Sequence, residues 1–398
     1  MIDYSSLLSG KVQEIKPSGI RKFSELAAEM GNVISLGVGE PDFQTPWVIR
    51  QAGIESLERG RTHYSPNAGF RELKQEIDRY LERRMGLSYS EEETMVTIGG
   101  SEAIDMMIRA VIDPGDEVLI PEPCYVSYDP IARLTRAKVV SIPTRFEDDF
   151  RLTSEALKAA ITPKSKLLIF PYPNNPTGGI MEREDLEAIA EVLRDTNILV
   201  LSDEIYAELT YGGKKHVSIA SIDGMRERTI VVNGFSKTYA MTGWRLGYAV
   251  GPAPLIREMI KIHQFAIMCA PTTSQLAAVE ALRSCDEEIE AMRDEYDMRG
   301  KYLVGELNRI GLECFQPQGA FYVFPSIQHT GLSSEEFCER LLREERVAVI
   351  PGSAFGGWGE GHVRISYCYS LQHLKIAVRK IEKFLKKLER EKHENGQG

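Results

Sequence analysis

The sequence lacks the features that usually identify metal, disulfide-bonded and membrane proteins. Its 398 residues include six cysteines, none of them in a CxxC pair, and seven histidines without metal-ligand spacing. We therefore predict reduced thiols and no metal site. No apolar run is long enough to span a bilayer, and the first residues lack the basic and apolar regions of a secretory signal. These features predict a cytoplasmic protein that does not enter a membrane.

The chain also lacks an excess of positive charge, since its formal net charge is −10. This charge argues against a nucleic-acid binder, because neutralising phosphates requires a basic face. It does not exclude an anionic ligand, since one arginine and the N-termini of helices can form a positive pocket inside an acidic protein. The length predicts two or three structural units, or one large α/β domain with a smaller one.

Predicted strands alternate with predicted helices over most of the chain. Leu73, Ile77 and Tyr80 recur with helical spacing before a stop at Gly86. Apolar runs such as "KLLIF", "ILVLS" and "TIVVN" predict buried strands, and the alternation indicates a mostly parallel sheet covered on both faces. Beyond about residue 290 a long charged helix and short strands follow. We predict an α/β fold with a large domain of residues 45–290 and a small α+β domain of residues 1–44 and 291–398.

Polar residues follow the predicted strands where ligands gather in an open parallel sheet, at the carboxyl ends. The Gly99-Gly100-Ser101 turn opens a helix and offers backbone N–H groups to a phosphate, to which Ser236 and Arg245 could add donors. Asp203 and Lys237 could then serve opposite ends of one cofactor ring. Pyridoxal phosphate needs this arrangement, with an acid at the pyridine nitrogen and a lysine for the Schiff base.

Seven segments resemble the signature segments of class I/II aminotransferases, which belong to the fold-type I pyridoxal-phosphate superfamily. They occur in family order: "GVGEPDFQTP", "YSPNAGFRELKQEI", "YPNNPTG", "SDEIY", "SKTYAMTGWRLGY", "GAFYVFP" and "HVRISY". The resemblance extends from about Lys16 to the C-terminal helix. It implies a large domain with a mostly parallel seven-stranded sheet. It also implies ping-pong transamination between an L-amino acid and a 2-oxo acid.

The resemblance further implies a role for each site residue. Lys237 would bond to pyridoxal 5′-phosphate and then move the α-proton, and Asp203 would pair with the pyridine nitrogen. Asn175 and Tyr206 would hydrogen-bond the phenolic oxygen of the ring. Lys237, Asp203 and Tyr206 are thus the predicted catalytic residues. The remaining cofactor contacts are expected from the ring of Tyr125 and from phosphate donors at Gly100, Ser101, Ser236 and Arg245.

Substrate binding and assembly follow from the same resemblance. Arg364 matches the arginine that binds the α-carboxylate of the substrate with both prongs of its guanidinium. Gly39 lies in the segment that closes over this carboxylate, and Tyr125 and Asn175 are also expected to contact the substrate. Tyr64 matches a residue that reaches the phosphate of the neighbouring subunit, which implies a homodimer with shared active sites.

Two other classes of protein use related domains. A carbon–sulfur β-lyase, or a synthase of a cyclic amino acid, would have the same fold, but "NNPTG" and "SDEIY" fit the aminotransferase pattern better. A regulator that senses its ligand with such a domain is not expected. Regulators of this kind carry an additional DNA-binding domain before it, whereas here the pattern starts near Lys16 and the chain is acidic.

The sequence also suggests a substrate preference. Aspartate-preferring members of the nearest subgroup tend to have a lysine directly after the glycine pair, where this chain has Ser101 and then Glu102. A second substrate carboxylate without a cation would be costly to bury. Aromatic residues are predicted at the edge of the pocket, namely Tyr125, Phe321, Tyr322 and Phe355. We therefore expect neutral donors, aromatic or aliphatic, to be favoured over aspartate, with 2-oxoglutarate as acceptor.

Overall fold

The computed structural model describes residues 2–395 of the chain. Within them the strands are β1 Ile34–Ser35, β2 Thr94–Thr97, β3 Glu117–Glu122, β4 Lys138–Pro143, β5 Ser165–Phe170, β6 Leu199–Asp203, β7 Thr229–Gly234, β8 Gly247–Val250, β9 Tyr322–Val323, β10 Val347–Ala348, β11 Ile350–Pro351 and β12 Val363–Ser366. The helices are α1 Gly10–Glu14, α2 Gly19–Met30, α3 Trp47–Glu58, α4 Arg71–Met85, α5 Gly99–Val111, α6 Tyr128–Leu134, α7 Ser154–Ala160, α8 Arg183–Leu193, α9 Phe235–Thr238, α10 Ala253–Ala266, α11 Thr272–Ser284, α12 Asp286–Arg309, α13 Ser334–Glu345 and α14 Leu371–Asn395.

A seven-stranded sheet forms the centre of the molecule, in the order β2-β8-β7-β6-β5-β3-β4. Strand β8 runs antiparallel to both of its neighbours, and the other pairs in the sheet are parallel. The predicted mostly parallel seven-stranded sheet is therefore confirmed.

The central strands are apolar throughout because helices cover both faces of the sheet. Leu167 and Ile169 of β5 pack in a cluster with α5 and α10. Leu168 and Phe170 belong to a second cluster, on the opposite face, with α7 and α8. Successive side chains of a strand point to opposite faces, so an uninterrupted apolar run is stable only between two layers of helices. Each such buried side chain contributes about 1.5–3 kcal/mol.

Helix α4 illustrates how local sequence signals set an element's limits. It ends at Met85, and Gly86 follows in the left-handed conformation with φ 67°. Leu73, Ile77 and Tyr80 are buried along one face, as their spacing predicts. Glycine pays no steric cost at this φ, so the predicted stop at Gly86 is confirmed.

Two smaller sheets lie outside the central one. Strands β11, β12 and β9 form an antiparallel sheet, and β1 pairs in parallel with β10, with Ile34 opposite Val347. This pairing brings the N-terminal segment next to the C-terminal third of the chain. The exact division at residues 45 and 290 stays a prediction, and helix α12 crosses the second of these positions.

The parallel strands direct their carboxyl ends to one edge of the central sheet. Asp203 is the last residue of β6, and β7 runs directly into the single turn of α9, which carries Ser236 and Lys237. None of the helices between residues 2 and 395 is long and apolar enough to cross a membrane. Over the same residues, no three His, Cys, Asp or Glu side chains cluster as a metal site requires.

Candidate active site

A cavity of about 2070 Å³ opens at the carboxyl edge of the central sheet. Its wall contains eleven of the site residues predicted from the sequence: Gly39, Gly100, Ser101, Tyr125, Asn175, Asp203, Tyr206, Ser236, Lys237, Arg245 and Arg364. The twelfth, Tyr64, does not line this cavity and is 81% exposed. The structure thus brings together residues that lie more than 300 positions apart in the chain, while their roles remain predictions.

The amine of Lys237 points across the cavity towards the N-terminal segment. Its Nζ donates a hydrogen bond to the carbonyl oxygen of Gly39 at 2.7 Å and lies 5.7 Å from the ring centre of Phe321. Burial lowers the pKa of this amine to about 8, because desolvation disfavours the ammonium form. At pH 7 roughly a tenth of the Lys237 amine is therefore uncharged, far more than for an ordinary lysine, and only the uncharged amine is a nucleophile.

The carboxylate of Asp203 is buried at the end of β6. The hydroxyl of Tyr128 donates to its Oδ2 at 2.7 Å, and the backbone N–H of Ile205 donates to its Oδ1 at 3.2 Å. Burial raises the pKa of Asp203 to about 6, although the Tyr128 hydrogen bond opposes this shift. A cationic partner facing the carboxylate would favour its ionised form. The arrangement suits a protonated ring nitrogen.

Arg364 has a buried guanidinium whose hydrogen bonds are incomplete. Nη1 donates to Asn175 Oδ1 at 2.8 Å, and Nη2 donates to the carbonyl oxygen of Gly37 at 2.6 Å. The rings of Tyr322 and Phe355 lie 4.4 and 4.8 Å from the guanidinium carbon. Its Nε is buried and has no hydrogen-bond partner among residues 2–395. The side chain is held in one orientation with donor capacity left over, which suits a carboxylate ligand.

Gly39 lies where no side chain can be accommodated. A Cβ at this position would overlap the hydroxyl of Tyr322. That hydroxyl lies 2.9 Å from the hydroxyl of Tyr206. The N-terminal segment can approach the sheet edge this closely only because residue 39 is glycine.

The first turn of α5 lines the same cavity through Gly100 and Ser101. Gly99 has φ +74°, and a Cβ there would lie 3.0 Å from Nη2 of Arg245, so the guanidinium rests against the start of the helix. Arg245 also donates from Nη1 to the carbonyl oxygen of Thr242 at 3.1 Å. Ser236 is buried on the same cavity wall. This part of the wall is suited to hold a phosphate, because it offers a helix N-terminus, a guanidinium and a hydroxyl.

Comparisons with known proteins define the family. The sequence pattern of the family "Aminotransferase class I and II" matches residues 31–381. The chain is 46% identical to an aspartate aminotransferase of Pyrococcus abyssi, with 95% of this chain and 98% of the relative covered. It is 44% identical to aromatic-amino-acid aminotransferase 2 of Thermococcus litoralis, with the same coverage. The crystal structure of an aromatic aminotransferase from Pyrococcus horikoshii superposes with a TM-score of 0.88 at 45% identity, covering 92% of this chain and 99% of that one.

The chain therefore belongs to the class I/II aminotransferases, a family of pyridoxal-phosphate-dependent enzymes. Its fold is that of a fold-type I aminotransferase, and it acts as a transaminase on amino acids and 2-oxo acids. The relatives give no support to a carbon–sulfur lyase. The cavity fits the cofactor, because it holds a lysine amine, a buried carboxylate and a cradle of phosphate donors in one continuous wall.

Some features of the site differ from the sequence-based expectations or were missed by them. Phe321 packs beneath Lys237 but is not part of the cavity wall, whereas Tyr125, Tyr322 and Phe355 are. Tyr128 was not predicted as the partner of Asp203. Its position three residues after Tyr125, at the start of a helix, is the only sequence signal for it.

We predict that Asp203→Asn stabilises the cofactor-free protein above pH 6 while removing most of the activity of the holoenzyme. The folded pKa of about 6 lies above the ordinary value for aspartate. The folded protein therefore binds the proton more tightly, and the free energy of unfolding falls as the pH rises from about 4 to about 6 and stays lower above it. Asparagine removes this penalty, by up to roughly 2–3 kcal/mol, but cannot keep a ring nitrogen protonated.

Urea unfolding of the cofactor-free protein at several pH values measures this difference. The gap between Asp203→Asn and wild type should be small at pH 4 and open by pH 7. The exposed Asp148→Asn serves as the control, with no gap expected at any pH. A constant gap between pH 4 and 7 would contradict the argument from burial.

Proposed function

We propose that the cavity binds pyridoxal 5′-phosphate with its phosphate at the first turn of α5 and its ring between that turn and Arg364. Asp203 then faces the pyridine nitrogen, and Asn175 and Tyr206 face the phenolic oxygen. Tyr125 stacks on the ring. Gly100, Ser101, Ser236 and Arg245 hold the phosphate. The presence of all these residues on one cavity wall supports this placement.

The residues around the proposed ring divide the chemistry between them. When bound, the cofactor supplies an electron sink for the charge that develops at the substrate α-carbon. Lys237 would hold the cofactor. Once released, its amine would take the proton from the substrate α-carbon and deliver it to carbon C4′ of the cofactor. The burial that lowers the pKa of Lys237 to about 8 supports this role, since the amine can both accept and donate a proton near neutral pH.

Arg364 orients the substrate in this proposal. Its guanidinium plane is held by Asn175, by the Gly37 carbonyl and by two aromatic rings. An α-carboxylate placed against it would receive charge-assisted hydrogen bonds of fixed direction. That contact would present the α-proton to Lys237, and the closed segment around Gly39 would exclude water.

The observation that carries the proposed catalytic role is the half-buried amine of Lys237 in the same cavity as Asp203 and Arg364. We predict that Lys237→Ala retains cofactor but lacks the absorbance of the lysine-bound form. It should turn over at less than about one thousandth of the wild-type rate. The exposed Lys215→Ala is the matched control and should behave as wild type. Absorbance spectra after adding an amino acid alone measure both effects. A wild-type spectrum in Lys237→Ala would exclude this lysine.

A homodimer with shared active sites is part of the proposal. Tyr64 is exposed, yet its loop is anchored, because Thr272 Oγ1 donates to the His63 carbonyl and Asn67 Nδ2 donates to the Met268 carbonyl, both at 2.7 Å. Large apolar side chains are exposed in helix α3, in the last turn of α10 and directly after it: Trp47, Ile54, Leu57, Phe265 and Ile267. Exposed apolar side chains next to an ordered loop favour a protein interface there, and a second copy of the chain would place Tyr64 at its partner's phosphate.

We predict that two inactive variants complement each other. In a mixed dimer of Tyr64→Ala and Lys237→Ala, one site carries both changes and the other carries neither. Random mixing should therefore recover up to about a quarter of wild-type activity. Mixing Lys237→Ala with Asp203→Asn is the control and should recover none, since both residues serve the same subunit's site. Activity assays on the co-expressed, unseparated mixture of dimers measure this. No recovery in the first mixture would remove Tyr64 from the site.

For the substrate, we propose neutral amino donors, aromatic or aliphatic, with 2-oxoglutarate as acceptor. Tyr125, Tyr322 and Phe355 line the cavity and support an apolar side-chain pocket. Glu102 is not part of the cavity wall. Relatives of similar identity carry names for both aspartate and aromatic substrates, so the preference depends on this chain's own pocket.

A second carboxylate of a substrate could be bound by a basic side chain on the cavity wall. Arg21, Lys22 and Arg133 line the wall but are paired with acidic side chains. Lys16 also lines it and has no ion-pair partner among the described residues. We propose that it meets the second carboxylate of 2-oxoglutarate, whose carbon chain is one atom longer than that of aspartate.

We predict that phenylalanine and leucine have kcat/KM values at least about tenfold above that of aspartate. The shorter aspartate would bury its second carboxylate without a cation, at a cost of about a few kcal/mol. Lys16→Ala should raise the KM for 2-oxoglutarate and leave the half-reaction with phenylalanine unchanged. Half-reactions followed by cofactor absorbance separate the two effects. A panel in which aspartate has the highest kcat/KM would overturn the proposed preference.

The proposed cytoplasmic location has one structural support. All six cysteines are free thiols, and five of them are buried. A reducing compartment would keep them in this state.

A further inference from the structure

We propose that Glu102, held by His263, is a positioning residue for the cofactor phosphate: it anchors the turn of backbone whose N–H groups receive that phosphate. This inference rests on the proposed location of the phosphate at the first turn of α5. It concerns residues outside the cavity wall, and it explains why an acidic side chain directly follows the phosphate-binding turn.

The carboxylate of Glu102 turns back onto the start of its own helix. Its Oε2 accepts a hydrogen bond at 2.5 Å from the backbone N–H of Ile98, the residue immediately before α5. Gly100 and Ser101 line the cavity, but Glu102 does not. The carboxylate therefore occupies the N–H of the residue before the helix and leaves those of Gly100 and Ser101 free for an anion.

The second oxygen of the carboxylate is held by a fully buried histidine. Nδ1 of His263, in α10, lies 2.8 Å from Glu102 Oε1, and His263 has 0% exposure. An ionised carboxylate can only accept, so with Glu102 ionised Nδ1 carries the hydrogen. The other ring nitrogen, Nε2, is buried without a hydrogen-bond partner among residues 2–395. Among these residues the side chain of His263 therefore hydrogen-bonds to Glu102 alone.

The turn needs such an anchor because of its glycines. Gly99 has φ +74°, a conformation that only glycine adopts readily, and Gly100 follows directly. Two consecutive glycines have more conformational freedom to lose than other residues do. Glu102 fixes the backbone at Ile98, directly before this pair, and Arg245 packs against Gly99. The phosphate would then meet N–H groups that are already oriented.

The experiment compares pyridoxal 5′-phosphate with pyridoxal, which lacks the phosphate. The full chain is freed of cofactor and titrated with each aldehyde, and binding is read from the absorbance of the Lys237-bound form. For Glu102→Ala we expect the Kd for pyridoxal 5′-phosphate to rise about tenfold, as for the loss of a helix cap. The Kd for pyridoxal should change less than about twofold. Glu102→Gln keeps an acceptor for Ile98 but turns an amide N–H towards Nδ1 of His263, so its Kd should lie between those of Glu102→Ala and wild type.

Two further variants test whether the effect is specific to Glu102 and its partner or reflects general damage to the helix. Asp105→Ala removes an acidic side chain from the same helix, where it pairs with Arg109 at the surface, and should change neither Kd. His263→Gln should affect the phosphate-bearing aldehyde more than pyridoxal, in the same sense as Glu102→Ala.

The outcomes distinguish this inference from the proposed site itself. Equal losses of affinity for the two aldehydes in Glu102→Ala, or no loss for either, would overturn the positioning role. Arg245→Ala tests the phosphate site independently and should lower affinity only for pyridoxal 5′-phosphate. If Arg245→Ala shows that selective loss and Glu102→Ala does not, only the inference about Glu102 fails. If neither variant shows it, the proposed phosphate site fails as well.

Discussion

The buried guanidinium of Arg364 joins three separate parts of the chain. It lies on β12, donates to Asn175 after β5 and donates to the Gly37 carbonyl in the N-terminal segment. A charge with 2% exposure is costly unless its donors are paired. Its neighbours pair two donor groups and stack two rings on its faces, but they leave Nε unsatisfied. The cavity is therefore built around a cation whose last partner is the proposed substrate carboxylate.

Burial shifts the pKa values of two other groups on the cavity wall, Lys237 and Asp203, in opposite directions. It lowers the pKa of Lys237 to about 8 and raises that of Asp203 to about 6. Both groups therefore change protonation within about a pH unit or two of neutrality, where small changes in surroundings have large effects. Desolvation is the largest cause in each case. Burial, more than any single hydrogen bond, therefore sets the pKa values of these two groups.

The motif "SDEIY" contains two adjacent acidic residues with different surroundings. Asp203 lines the cavity, while Glu204 does not and is fully buried. Glu204 accepts hydrogen bonds from Ser202 and Ser218, and His216 lies 2.8 Å from its second oxygen. Asp203 is thus accessible from the cavity, whereas the hydrogen bonds of Glu204 are made within the protein. Residue identity alone does not distinguish these two acidic residues, since each is a carboxylate at the end of a buried strand.

The sequence by itself determined the class of fold, the family and eleven residues of the cavity wall, but it also placed Tyr64 and Phe321 at the site, and neither lines the cavity. These follow from local patterns: apolar runs bounded by turns, a glycine stop such as Gly86, and short motifs whose residues are neighbours in the chain. The tertiary structure decided which side chains pair. Tyr128 on Asp203, Tyr322 on Tyr206 and His263 on Glu102 lie 75, 116 and 161 residues apart, and no local pattern relates such positions. Contacts of this kind depend on how the helices and strands pack together, and so do the pKa values, because burial is a property of the folded molecule alone.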